Sequence, residues 1–181
     1  MSKLNISDFQ AKLTGGGARS NLFEVTMTPP DGTSGKIKVA WNNDPFTFLC
    51  KSAALPASNI GSIPLNIRGR VFQVYGDRTF DPWTVTIIND TDFKYRTYLE
   101  DWINKINQAT TQAGDPNPNN YMGSAKVVQL KRESTGSAVA RTYDMKLIYP
   151  TNISTIDLSY DSTDSIEEFA VEFQVHDFSV S

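Results

Sequence analysis

The chain has 181 residues, enough for one domain around one core, and its 39% hydrophobic and 11% aromatic content can fill that core. A net charge of −3 with charged residues at only 20% excludes a disordered tail and argues against a protein that grips phosphates through clustered Lys and Arg. No run of about 18 apolar residues is present to span a membrane, and the N-terminus has no apolar signal-like stretch, so we expect a protein made and kept in a cytosol. The charge is uneven: the first 146 residues hold all seventeen basic residues against thirteen acids, and the 35 residues after Lys146 carry seven acids and no Lys or Arg.

In chain order, residues 1–20 read as a polar, flexible N-terminal arm (Ser2–Ala18) ending in Gly15-Gly16-Gly17, and residues 21–181 as a single domain. Phe23, Val25 and Met27 alternate with Glu24 and Thr26 as in a half-buried strand, stopped by Pro29-Pro30-Asp31-Gly32. Ile37, Val39 and Trp41 alternate next, and after the Asn42–Pro45 turn Phe46 to Cys50 reads as a third strand. Pro56 to Ser62 is expected to be loop. β-pattern resumes at Ile63, runs through Ile67 and Val71–Tyr75, turns at Gly76-Asp77 and continues with Trp83, Val85 and Ile87.

The period then changes. Tyr95, Leu99, Trp102, Ile103 and Ile106 recur at steps of three and four, giving one helix over about residues 92–107 with Asp90 or Thr91 as N-cap. Residues 108–121 read as loop. A hairpin follows, Val127–Lys131 and Val139–Tyr149 around Ser134–Ser137, closed by Tyr149-Pro150-Thr151-Asn152. Ile153–Ser159, an acidic turn, and a last strand with Phe169, Val171, Phe173 and Val175 complete a mostly β chain: a β-sandwich or barrel of two packed antiparallel sheets with one flanking helix.

Catalytic and metal chemistry are not expected. The lone His176 lies on the polar face of a strand, and the lone Cys50 sits in an apolar run where a buried thiol is the usual outcome. One Cys and one His cannot make a zinc site, and the glycine run lacks the Lys-Ser/Thr of a phosphate loop. Asp157, Ser159, Asp161 and Glu168 match part of a calcium-loop spacing, but Ser162 stands where that loop needs Gly, so a solvated turn is preferred. Glu167 and Glu168, adjacent on a strand, face opposite sides and cannot flank one glycosidic bond. No cofactor is expected.

Three segments carry a resemblance: Leu22–Val25, Phe46-Thr47-Phe48-Leu49-Cys50-Lys51-Ser52-Ala53-Ala54-Leu55-Pro56, and above all Gly76-Asp77-Arg78-Thr79-Phe80-Asp81-Pro82-Trp83 running on to Asn89-Asp90. With Tyr149–Asn152, Ile156-Asp157-Leu158 and Glu168-Phe169, they resemble the tail tube proteins of contractile-tailed phages, over most of residues 19–178. Residues 29–44 and 109–122 look longer than is usual there.

The resemblance implies a fold shared with type VI secretion tubes and rings of six copies whose sheets join into one barrel. Those rings would stack inside a contractile sheath into a hollow tube that passes DNA without gripping it. It implies the sheath protein, a tape-measure protein, a baseplate tube initiator and a tail terminator as partners, no membrane, and a place in the virion after synthesis in the host cytoplasm. Gly76, Asp77, Arg78 and Trp83 are expected to be structural, with Asp77 and Arg78 placed for charge-assisted bonds. The helix is expected on the outer side of the tube, presenting Lys94, Glu100 and Asp101 to the sheath. The arm and the Leu55–Ser62 loop, with Pro56, Asn59 and Gly61, are the candidates for ring stacking. A baseplate tube initiator or the tube protein of a phage-like contractile injection system is an alternative of the same fold, and a carbohydrate-binding β-sandwich using Trp41 and Tyr160 is one of another class.

Overall fold

The computed structural model describes residues 5–12, 17–33, 36–132 and 139–181. In chain order the elements are α1 (Ile6–Lys12), β1 (Phe23–Thr28), α2 (Asn43–Leu49), β2 (Cys50–Ala53), β3 (Ser58–Ile67), β4 (Arg70–Phe80), β5 (Trp83–Ile88), α3 (Lys94–Ile106), α4 (Pro118–Tyr121), β6 (Gly123–Leu130), β7 (Val139–Ile153) and β8 (Glu168–Val180). The fold is mostly β, with two antiparallel sheets of very unequal kind. Six strands in the order β1-β6-β7-β8-β5-β2 form a nearly barrel-shaped sheet, and β3-β4 form a sheet of two.

The large sheet follows from period-two burial. Phe169, Val171, Phe173 and Val175 on β8 and Trp83, Val85 and Ile87 on β5 are buried, while Glu172 between them is exposed. Val25, Met27, Ala125, Val127, Met145 and Ile148 extend the same inner face across β1, β6 and β7. Over it lies α3, with Tyr95, Leu99 and Trp102 buried, Ile103 and Ile106 half-buried, and the Trp102 ring 6.3 Å from that of Phe173. The Trp102 indole N–H donates to the Tyr121 carbonyl at 2.8 Å, so its burial leaves no orphaned donor. At the start of the helix the Asp90 carboxylate accepts the Lys94 N–H at 2.9 Å, although the N-cap position itself is Phe93, in the left-handed region with φ 53°.

Several expected elements take another form. Phe46–Cys50 does not continue as a strand; α2 occupies Asn43–Leu49, followed directly by β2. The Asn42 side chain caps it by accepting the Asp44 N–H at 3.2 Å, and Pro45 falls in the first turn, where its missing N–H is harmless. Phe46, Leu49 and Cys50, at helical spacing, turn to the core while Phe48 stays 85% exposed.

The position of α2 is informative, because it lies between the two edge strands of the large sheet, β1 and β2. On β1, the Val25 carbonyl accepts the Thr47 hydroxyl at 3.0 Å and the Met27 N–H donates to Asn43 Oδ1 at 3.0 Å. The helix therefore covers an edge that would otherwise be open to another chain.

Ile37, Val39 and Trp41 form no strand: beside one bridge, Asp31 to Lys38, the Ile37 and Val39 N–H groups donate to the Asn120 and Pro30 carbonyls, and Val39 is buried while the other two pack on the core. The alternation aimed the side chains correctly but found no partner strand. Tyr149–Asn152 does not end β7, which runs through Pro150 to Ile153. Proline is tolerated there because β6 ends at Gly123, opposite Ile148, and a bulge interrupts the ladder to β8 between Pro150 and Asn152. The expected turn Ser134–Ser137 falls outside the described residues. Of the arm, α1 buries no residue.

The region 56–80 departs furthest. Pro56–Ser62 is loop only at its start, since β3 begins at Ser58, and Gly76-Asp77 is no turn but lies inside β4. The turn is Arg68-Gly69, with φ of 47° and 80°, flanked by the Ile67–Arg70 pair. Two residues with positive φ twist the chain in the sense of the strands they join, which suits a tight hairpin. Gly76 and Asp77 instead stand opposite the single Gly61 in a bulge, where a Cβ on Gly76 would come within 3.2 Å of the Gly61 carbonyl oxygen.

Candidate assembly surfaces

The β3-β4 hairpin has core-like composition without a core. Every residue of β3 is exposed, and in β4 only Val74, Gly76 and Phe80 are partly covered. Cross-strand pairs Ile63–Val74 and Leu65–Phe72, with Ile67, make one face apolar, while Pro64–Gln73 and Ser62–Tyr75 make the other mixed. Ile63, Leu65, Ile67 and Phe72 are between 44% and 60% exposed. A contiguous exposed apolar face of this kind marks an interaction site. Neither outer edge of the hairpin is paired with another strand among the described residues, so both can accept a further strand.

The second surface is the outer face of the six-stranded sheet. Thr26, Lys126, Asp144 and Ser179 lie in register across β1, β6, β7 and β8, and Thr28, Ser124, Lys146 and Asp177 form the next row. Lys126 faces Asp144 and Lys146 faces Asp177, so each cation has an acid directly across the strand. Glu24 and Glu172 add unmatched negative charge, whereas Glu168 is held by Lys51 at 2.6 Å. This face is polar, locally balanced and slightly acidic. It holds no dense cationic patch.

The other sequence-derived residues divide between core and surface. Trp83 is buried, donates its indole N–H to the Ala54 carbonyl at 2.7 Å and packs 5.5 Å from Phe173. Asp77 and Arg78 are exposed on the hairpin, and neither forms an ion pair with a described residue. Leu55 is exposed and Pro56 half-buried ahead of β3, and Asn59, on β3, donates to the Asp81 carboxylate at 2.7 Å. On the solvent side of α3, Arg96 pairs with Glu100 at 2.9 Å and Lys105 with Asp101 at 2.6 Å, while Lys94 pairs with Asp92 at 2.7 Å.

Cys50 is buried, and desolvation pushes its thiol up to about 12. Trp41 packs against Phe46 at 4.8 Å and Tyr95 at 5.1 Å, so it offers no flat platform for a sugar ring. Tyr160 stands alone and fully exposed. Glu168 turns to Lys51, and no three His, Cys, Asp or Glu side chains converge among the described residues. Sequence reasoning missed the hairpin's apolar face and the edge-covering role of Asn43 and Thr47. The hairpin had a signal in Arg68-Gly69 between two alternating apolar runs, whereas the edge cover had none.

Comparison with known proteins agrees with this architecture. The family model described as phage tail tube protein matches residues 18–181. The tail tube protein gp19 of Enterobacteria phage T4 is 34% identical over 154 residues, covering 85% of this chain and 86% of its own length. Among solved structures, the tube-terminating cap of the anti-feeding prophage superposes with a TM-score of 0.62 at 14% identity, covering 91% of each chain. The sheath–tube complex of the extracellular contractile injection system PVC superposes at 0.56 with 14% identity, covering 99% of each. At those identities the two structures speak for the fold alone, while the family match spans nearly the whole described domain. The chain belongs to the phage tail tube protein family, a family of structural and not catalytic proteins.

Proposed function

We propose that this chain is the repeating subunit of a hollow tail tube in a phage virion, assembled as rings of six copies stacked inside a contractile sheath. Residues 21–181 form the tube domain and residues 1–20 an arm. The observation that carries the reading is the β3-β4 hairpin: an apolar face with no core of its own and two unpaired edges is supplied by a chain that covers the β1 edge of its large sheet with α2. Pairing between neighbours would turn those edges into a closed barrel, and closure in a symmetric ring removes them.

The outer face of the six-stranded sheet suits the lumen. Balanced rows and a slight acidic excess repel a polyanion weakly and hold it nowhere, so DNA slides. The balanced ion pairs on α3 suit the side turned toward the sheath, with Glu100 and Asp101 among its exposed charges. Sheath, baseplate tube initiator and tail terminator are the partners at the wall and the two ends. A tape-measure protein is a further partner, and synthesis takes place in the host cytoplasm. Asp77 and Arg78, solvent-exposed on the hairpin, would make their charge-assisted bonds across copies. Trp83 and the α3 stripe serve the core.

The arm and the segment Leu55–Ser62, Pro56, Asn59 and Gly61 included, are read as stacking elements because α1 buries no residue and residues 55–62 are exposed apart from half-buried Pro56. Negative-stain microscopy of the purified chain tests the reading: rings or hollow rods are expected, and a monodisperse monomer at all concentrations, also with the baseplate initiator added, would refute it. Removing residues 2–18 should leave fold and rings while shortening tubes. Unimpaired elongation would exclude the arm from stacking.

A further inference from the structure

The hairpin and the 154–167 loop are joined to opposite ends of the same two strands. Phe80, at the base of the hairpin, packs 5.5 Å from Phe178 near the end of β8, and β5 begins at Trp83 just beyond. The loop joins at the other end, where Ile88 pairs with Glu168 and the Asn89 N–H donates to the Glu167 carbonyl at 2.9 Å. Ten residues of β8 separate these ends, roughly 33 Å at about 3.3 Å per residue.

The two regions are complementary in charge and in apolar character. Residues 58–80 carry Arg68, Arg70 and Arg78 against the single acid Asp77, with Ile67 and Phe72 exposed near the tip. Residues 154–167 carry Asp157, Asp161, Asp164 and Glu167 and no basic residue, with Leu158 and Ile166 80% and 72% exposed. The loop also borders a hollow of about 320 Å³ lined by Asp157, Leu158, Ile166 and Glu167 among others. None of the three arginines forms an ion pair with a described residue, and nor do Asp157, Asp161 and Asp164. Complementary patches at opposite ends of one subunit let each copy present its hairpin to the loop of the next. Head to tail, that contact is the kind that propagates along a stack, as the tube reading requires.

We infer that the tip of the hairpin seats on the 154–167 loop of a second copy of this chain, with Arg68 and Arg70 against Asp157, Asp161 and Asp164 and the Ile67–Phe72 face against Leu158 and Ile166. The inference rests on the tube reading and names the counter-surface for the hairpin. Burying the arginines against acids fixes register and rejects other faces of the copy, while the apolar contact supplies the area term.

Charge reversal tests it in the full-length protein. Arg68→Glu with Arg70→Glu should cut tube mass in sedimentation and microscopy at least tenfold, with the melting temperature of the chain unchanged. Asp157→Lys with Asp161→Lys and Asp164→Lys should do the same. Combining the two sets should restore tubes to within a few-fold of wild type. A disulfide between Arg70→Cys and Asp161→Cys should form only between copies, and buried Cys50 should not compete. If wild-type chains form tubes but the loop reversal has no effect, or the combined set fails to restore growth, the pairing is wrong and the tube reading stands. If wild-type chains form neither rings nor tubes, both fall.

Discussion

The two sheets of this protein obey the same sequence rule and meet opposite fates. On β8 the alternation Phe169, Val171, Phe173, Val175 ends in full burial, and on β3 the alternation Ile63, Leu65, Ile67 ends in solvent. The difference lies in what each face finds. The six-stranded sheet curls on itself and receives α3, while the hairpin has two strands and no covering element, and an isolated hairpin is marginal in water. Alternation shows that a face must be covered. It does not show whether the cover comes from the same chain.

The contrast can be broken most sharply from the barrel side. Trp102→Ala removes a fully buried ring and its bond to Tyr121, and should cost about 3–5 kcal/mol, read as a large drop in melting temperature or loss of soluble protein. Next, Gly123→Ala places a Cβ at 2.6 Å from the Thr28 carbonyl oxygen and 3.0 Å from the Trp102 ring, and overpacking there should cost about 1–3 kcal/mol in denaturant unfolding.

The hairpin should behave in the opposite way. Leu65→Ser with Phe72→Ser should change the unfolding free energy of the unassembled chain by less than about 0.5 kcal/mol per site, yet stop assembly seen by microscopy. A large loss of monomer stability would mean that the hairpin does have a core within the chain.

The smallest effect concerns Cys50, at the join of α2 and β2. Burial raises its folded thiol to about 12, above the ordinary thiol value, so its contribution to stability is full below the unfolded pKa and is lost as pH rises toward 12. At neutral pH it should resist a thiol reagent until the chain unfolds, and fast modification of the native protein would contradict its placement.

The residues themselves determined the mostly β class, the long helix and most of the core, because period-two and period-3.6 patterns depend only on which side chains flee water. Trp83, Tyr95, Leu99 and Trp102 were legible in that way. Tertiary structure alone decided the rest. Phe46–Cys50 carries apolar residues compatible with either period, and it became helix because a capped turn could bridge the edges of β1 and β2. Gly76-Asp77 had turn composition, but the pairing register of β3 with β4 placed the reversal at Arg68-Gly69 and made the glycine part of a bulge. The exposure of the hairpin was illegible for the same reason: burial depends on which elements reach a face in space, and local spacing carries no record of that.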